Sequence, residues 1–160
     1  MMRSIVIYYS YTGNTEKVAQ ILAEYLREKN EVEIFRLDAE ESPYFFIQAM
    51  RAFRHKKAKL KSINFDLRNY DLICFGSPVW AFSPAPAMNT YLEKCFGLEE
   101  KSVVLFCTYG SGIGKERCLD YMQEVLSKKK VKDFRRFSIQ QFMVDNKEFI
   151  LSQIKQILEK

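Results

Sequence analysis

Ile5-Val6-Ile7-Tyr8-Tyr9-Ser10-Tyr11-Thr12-Gly13-Asn14-Thr15 is an apolar, β-branched and aromatic run that breaks abruptly into a polar loop. From Arg3 to Tyr9 it reads as a buried central strand. Behind the loop, between Asn14 and Lys29, Val18, Ile21, Leu22, Tyr25 and Leu26 recur at helical spacing and mark one buried face. Ser10, Thr12, Asn14 and Thr15 offer side-chain donors, and Gly13 permits a tight backbone approach. Successive N–H groups at a helix N-terminus form an anion site, reinforced by the helix dipole. The loop carries no lysine or arginine, so a phosphate held at Ser10–Thr15 would meet neutral donors in a compact nest. A plain β-α turn needs only one capping hydroxyl, and three in six residues exceed that need.

The same unit recurs along the chain. Glu31 to Leu37 alternates as a strand nearer an edge, and a helix from about Pro43 to Lys57 follows. Tyr70 to Gly76 is a second buried strand, leading through Pro84 and Pro86 into a helix with Met88, Tyr91, Leu92 and Cys95 on one face. Ser102 to Cys107 is a third buried strand. Its helix begins near Gly114 and places Cys118, Met122 and Val125 together. Val131 to Ile139 is the last strand, and Asp145 is positioned to cap a final helix with Phe149, Ile150, Ile154, Ile157 and Leu158 inward. Five β-α units predict one α/β domain over residues 1–160, a doubly wound parallel sheet with helices on both faces. Ligands of such sheets bind outside the carboxyl ends of the strands, so the loops after the first, third and fourth strands are the ones to read.

After the third strand, Ser77-Pro78-Val79-Trp80-Ala81-Phe82 places the only tryptophan and a phenylalanine in a proline-stiffened loop suited to covering a flat heteroaromatic ring. After the fourth comes Thr108-Tyr109-Gly110-Ser111-Gly112-Ile113-Gly114-Lys115. It is no Walker A loop: Tyr109 stands where the first glycine would be, and Glu116 follows Lys115. The dinucleotide fingerprint fails as well, with Lys115 in its third glycine position. What remains is a loop with free N–H groups and a tyrosine, fit to wrap a ring edge.

Composition excludes other classes. The chain of 160 residues buries roughly 70% of its unfolded surface. No apolar run approaches the roughly 20 residues of a membrane span, and the short apolar N-terminus does not read as a signal peptide, so a cytoplasmic address is expected. Cys74, Cys95, Cys107 and Cys118 show no metal-ligand spacing, and His55 lies far from them in sequence. No metal site is expected, and the cysteines read as packed, reduced thiols. The net charge of +5 is local: residues 51–61 and 128–136 each carry six Lys or Arg, and the remainder is acidic. Nothing around these segments matches a nucleic-acid module, so a solvated basic surface is the expectation and nucleic-acid binding a remote alternative.

The segment Ile5 to Thr15 resembles the phosphate loop of the flavodoxin family, whose pattern is Thr/Ser-x-Thr-Gly-x-Thr. Tyr70 to Leu92, with Gly-Ser-Pro-Val-Trp and its spaced prolines, is similar to the ring-contacting region of flavodoxin-like proteins and related FMN reductases. The resemblance implies a flavodoxin-like sheet in the order 2-1-3-4-5 and one non-covalently bound FMN. It also implies a phosphate at Ser10 through Thr15 and an isoalloxazine between residues around Trp80 and Tyr109, with Ser77 to Phe82 and Thr108 to Gly112 as cofactor contacts. The chain departs from electron-carrying flavodoxins in being basic, with pI ≈ 9.0, and in lacking a glycine between Ser77 and Ser83. Such a glycine lets a peptide turn over beside the flavin on one-electron reduction. Two roles follow: an electron-transfer protein serving a redox partner, or an FMN-dependent NAD(P)H:acceptor oxidoreductase acting on a quinone or flavin. No residue reads as a catalytic acid, base or nucleophile, so the chemistry belongs to the flavin.

Overall fold

The computed structural model describes residues 1–38, 60 and 63–160. The helix expected from about residue 43 to 57, His55, and all of the basic stretch 51–61 except Leu60 lie outside the described residues.

The elements alternate as the sequence pattern requires: β1 (Met2–Tyr8), α1 (Asn14–Arg27), β2 (Asn30–Arg36), β3 (Leu72–Trp80), the two-residue β4 (Ser83–Pro84), α2 (Pro86–Lys94), β5 (Ser102–Tyr109), α3 (Lys115–Ser127), β6 (Asp133–Gln140) and α4 (Lys147–Leu158). The sheet runs β2-β1-β3-β5-β6, with β4 paired to β3 alone. All neighbours on the main path are parallel. Leaving out the short β4, this is the 2-1-3-4-5 order of a flavodoxin-like fold.

Both faces are covered, which explains the nearly continuous apolar strands. Ile5, Ile7, Ile73, Phe75, Val103 and Leu105 point to one layer, where α2 and α3 contribute Met88, Leu92, Cys118, Met122 and Leu126. Val6, Tyr8, Cys74, Val104 and Phe106 point to the other, against Val18, Leu22 and Leu26 of α1 and Ile150 and Ile154 of α4. Among the described residues, no helix is long and apolar enough to cross a membrane.

All four cysteines are free and buried. Burial pushes the Cys95 thiol up to about 12 and raises that of Cys74 further. Cys118 is raised by its hydrogen bond with Cys107 and by burial. Thiols held so firmly protonated are inert as nucleophiles. Three of the six cations of the basic stretch 128–136 are engaged within the fold. Lys129 Nζ donates to the carbonyls of Glu93 and Cys95 at 2.8 and 2.6 Å, Arg135 lies 3.5 Å from Asp133, and Arg136 reaches Glu116 and Asp120, each at 2.7 Å.

Several strand ends fall one or two residues from the sequence reading, and two differences bear on the site and on α4. The cap of α4 is Asn146, whose side chain accepts from Phe149 N–H at 3.0 Å, because Asp145 turns away to pair with Lys17 at 2.7 Å. And β3 does not end at Gly76. It continues through Ser77, Pro78 and Val79 to Trp80, then folds back through Ala81-Phe82 to pair Trp80 with Ser83 and Val79 with Pro84.

Candidate functional site

The carboxyl ends of β1, β3 and β5 meet at one edge of the sheet. At β1 the chain turns through Ser10, whose hydroxyl accepts from Gly13 N–H at 3.1 Å and shapes the loop. Gly13 has φ +93°, with nothing within 4 Å of the place a Cβ would take, so backbone conformation alone demands glycine there. Gly13 also starts α1, and no side chain caps that start. The amides of the first turn are therefore presented to the loop, where an anion can accept from them. Ser10 and Thr15 are buried, Tyr11 and Thr12 are exposed, and Gly13 and Asn14 lie between. Thr15 Oγ1 lies 2.8 Å from Thr108 Oγ1, a buried contact joining the first loop to the end of β5.

Arg36, the last residue of β2, is a cation against this loop that local sequence gives no sign of. Its Nη2 donates to the Ser10 carbonyl at 3.0 Å, and its Nη1 lies 3.4 Å from Glu16. Glu16 also accepts from Tyr8 O–H at 3.1 Å, and burial together with that carboxylate pushes the Tyr8 phenol up to about 12. Arg36 is thus charge-balanced while it holds the loop from behind.

Beyond Thr108 lies a cavity of about 380 Å³, lined by Val79, Ala81 and Phe82 from the β3–β4 hairpin and by Tyr109, Gly110, Ser111 and Ile113 from the end of β5 and its loop. Six of these seven are residues the sequence singled out; exposed Ile113 was missed. Among the described residues, only Tyr109 and Ser111 bring polar side chains to the space, and no carboxylate, imidazole or thiol lines it. Gln140 Nε2 donates to the Gly110 carbonyl at 3.0 Å and steadies that loop. Gly114, φ +95°, starts α3 without a side-chain cap, and a Cβ there would lie 2.4 Å from Phe82 Cδ1 and 3.2 Å from Phe82 Cα. The third glycine of the loop is thus explained by the close approach of Phe82.

Trp80 does not line the cavity. Its ring stands edge-on to Tyr9 and Tyr11, at 5.6 and 6.1 Å between centroids, and ties the hairpin to the first loop. Ser77 is fully buried: its hydroxyl accepts from Ala85 N–H at 2.9 Å and donates to the Pro78 carbonyl at 3.0 Å, fixing the return into α2. Pro78 sits in the ladder opposite Thr108.

The hairpin itself is strained. Ala81 and Phe82 adopt φ +47° and +66°, the pattern of a type I′ turn that Asn-Gly would fill without cost. The absence of glycine from this loop therefore does not keep its backbone out of the left-handed region. Left-handed backbone costs a non-glycine residue roughly 1–2 kcal/mol, partly offset by the greater unfolded-state entropy of glycine. Ala81→Gly raises stability by about 0.5–1 kcal/mol in urea titrations. An unchanged or lower midpoint contradicts the strain.

A family model described as NADPH-dependent FMN reductase matches residues 2–147. The chain belongs to the NADPH-dependent FMN reductase family. It binds FMN and works in redox chemistry. Solved structures share the fold of this FMN reductase relative. One is a flavoprotein of Lactobacillus acidophilus NCFM in complex with FMN (21% identity, 92% of this chain and 99% of that one, TM-score 0.56). Another is an apo NADH:FMN oxidoreductase (16% identity, 100% and 92%, TM-score 0.64). A third is the oxidised flavodoxin 1 of Bacillus cereus (18% identity, 97% and 99%, TM-score 0.58).

Proposed function

We propose that this protein is an FMN-dependent oxidoreductase that takes electrons from NAD(P)H and delivers them to a small acceptor such as a quinone or a flavin. The supporting observation is one of contiguity. An uncapped helix start bearing hydroxyls adjoins a cavity of about 380 Å³, and Thr15 and Thr108 link the two. The residues fit FMN on both counts. The first-turn amides of α1 with Ser10, Thr12, Asn14 and Thr15 suit a phosphate dianion. The mainly apolar walls Val79, Ala81, Phe82, Tyr109 and Gly110 suit a flat ring.

When bound, FMN supplies the chemistry, accepting two electrons and a proton from the nicotinamide and passing them to the acceptor. The chain contributes position and exclusion of water. Trp80, packed on Tyr9 and Tyr11, braces the hairpin against the phosphate loop, and the Gln140–Gly110 contact fixes the loop after β5. No acid or base is needed beside the ring, and none lines the cavity among the described residues.

Anaerobic mixing of the holoprotein with NADPH tests this reading. The oxidised-flavin absorbance is lost within seconds without a second protein and returns when a quinone is added. Bound flavin that resists both NADPH and NADH, yet is reduced through a partner protein, contradicts the reading and gives the chain the role of an electron carrier.

A further inference from the structure

The cations along the ligand edge fall into two groups. Arg36 is balanced by Glu16 and Lys17 by Asp145, while Arg136 takes up both Glu116 and Asp120 from α3. That last arrangement draws both acids of the first turns of α3 to Arg136 and leaves its two cations, Lys115 and Arg117, without them. Lys115 Nζ lies 4.7 Å from the centroid of the Tyr109 ring and 3.3 Å from its hydroxyl. The Arg117 guanidinium lies 5.7 Å from the centroid of Phe82. Neither has a carboxylate partner among the described residues. Tyr109 and Phe82 both line the cavity, so each cation lies beside a residue of its lining, against an aromatic face.

We propose that Lys115 and Arg117 recognise the phosphates of the reduced dinucleotide whose nicotinamide reaches the cavity. This rests on the oxidoreductase reading above. A nicotinamide dinucleotide carries its anionic pyrophosphate, and in NADPH a further phosphate, a short distance from the ring that must enter. An electropositive rim beside an uncharged pocket separates the two jobs: the pocket receives the ring and the rim receives the charge. A guanidinium can grip a phosphate bidentately, and an ammonium adds a mobile point charge. The outward pairing of Glu116 and Asp120 with Arg136 keeps acids away from that charge.

The test compares wild type with the double variant Lys115→Met, Arg117→Met, which keeps the aliphatic stems. Each is assayed with NADPH and with N-benzyl-1,4-dihydronicotinamide, a donor without phosphates. The ratio of kcat/KM for NADPH to that for the neutral donor falls at least about tenfold in the variant, as loss of two charge-assisted contacts requires. Calorimetry of NADP⁺ binding to the oxidised holoprotein weakens in parallel. The swap Lys115→Arg, Arg117→Lys keeps the charge and retains most of the ratio. An unchanged ratio with unchanged NADP⁺ binding overturns this inference alone. Wild-type flavin that neither donor reduces overturns the oxidoreductase reading and this inference with it.

Discussion

Replacing Thr12 and Thr15 together by alanine lowers FMN affinity by at least about 100-fold. Each hydroxyl offers a hydrogen bond to a dianion, and such bonds to charged groups contribute roughly 1.5–3 kcal/mol apiece. The loop has no cation of its own to compensate, and Arg36 is occupied by Glu16 and by the Ser10 carbonyl. Thr15 also meets Thr108 in a buried contact, so the variant loses some stability, about 1 kcal/mol, which denaturation of the apoprotein measures separately. Riboflavin, having no phosphate, serves as the internal control: its affinity changes little. A double variant that weakens both ligands equally, or neither, removes the phosphate from this loop.

Gly76→Ala destabilises the protein by about 3 kcal/mol or more, at the upper end for overpacking a core. Tyr8, Gly76, Phe106 and Phe137 form one row across the sheet. Phe106 stacks on Phe137, with centroids 5.4 Å apart and planes at 12°, and its ring lies over Gly76 on the other side. A Cβ at Gly76 would be 2.0 Å from Phe106 Cζ, and Phe106 is fully buried, so nothing can yield cheaply. The melting temperature falls by roughly 6–12 °C for that cost in a domain of this size. FMN binding falls too, because Gly76 precedes the extension of β3 that carries the cavity wall. Adding Phe106→Leu makes room for the methyl group, and the pair of changes costs less than the sum of the singles. Strict additivity contradicts this packing account.

The sheet order and the hydroxyl-rich turn from β1 into α1 are legible because each rests on local, repeated signals. A buried apolar run, a hydroxyl-rich loop and an amphipathic helix announce a β-α unit, and the flavodoxin-like Ser10–Thr15 pattern is the ground for proposing the phosphate there. The hairpin after Gly76 was not legible. Its turn is Ala81-Phe82, the reverse of the glycine-rich signature by which type I′ turns are recognised, and only tertiary contacts hold it. The edge-on contacts of Trp80 with Tyr9 and Tyr11 are not legible either, because those tyrosines lie some seventy residues earlier. Arg36 escaped notice for a similar reason, since its partner Ser10 stands on the neighbouring strand's loop. The one-residue shift from Asp145 to Asn146 reflects two adjacent side chains equally able to cap, decided by the remote Lys17.

Titration of the apoprotein with FMN and with riboflavin, each followed by flavin absorbance and Trp80 fluorescence, tests the central claim most directly. The account predicts that FMN binds at least about 100-fold more tightly than riboflavin, the difference residing in the Ser10–Thr15 loop. Equal affinity for the two ligands would contradict it.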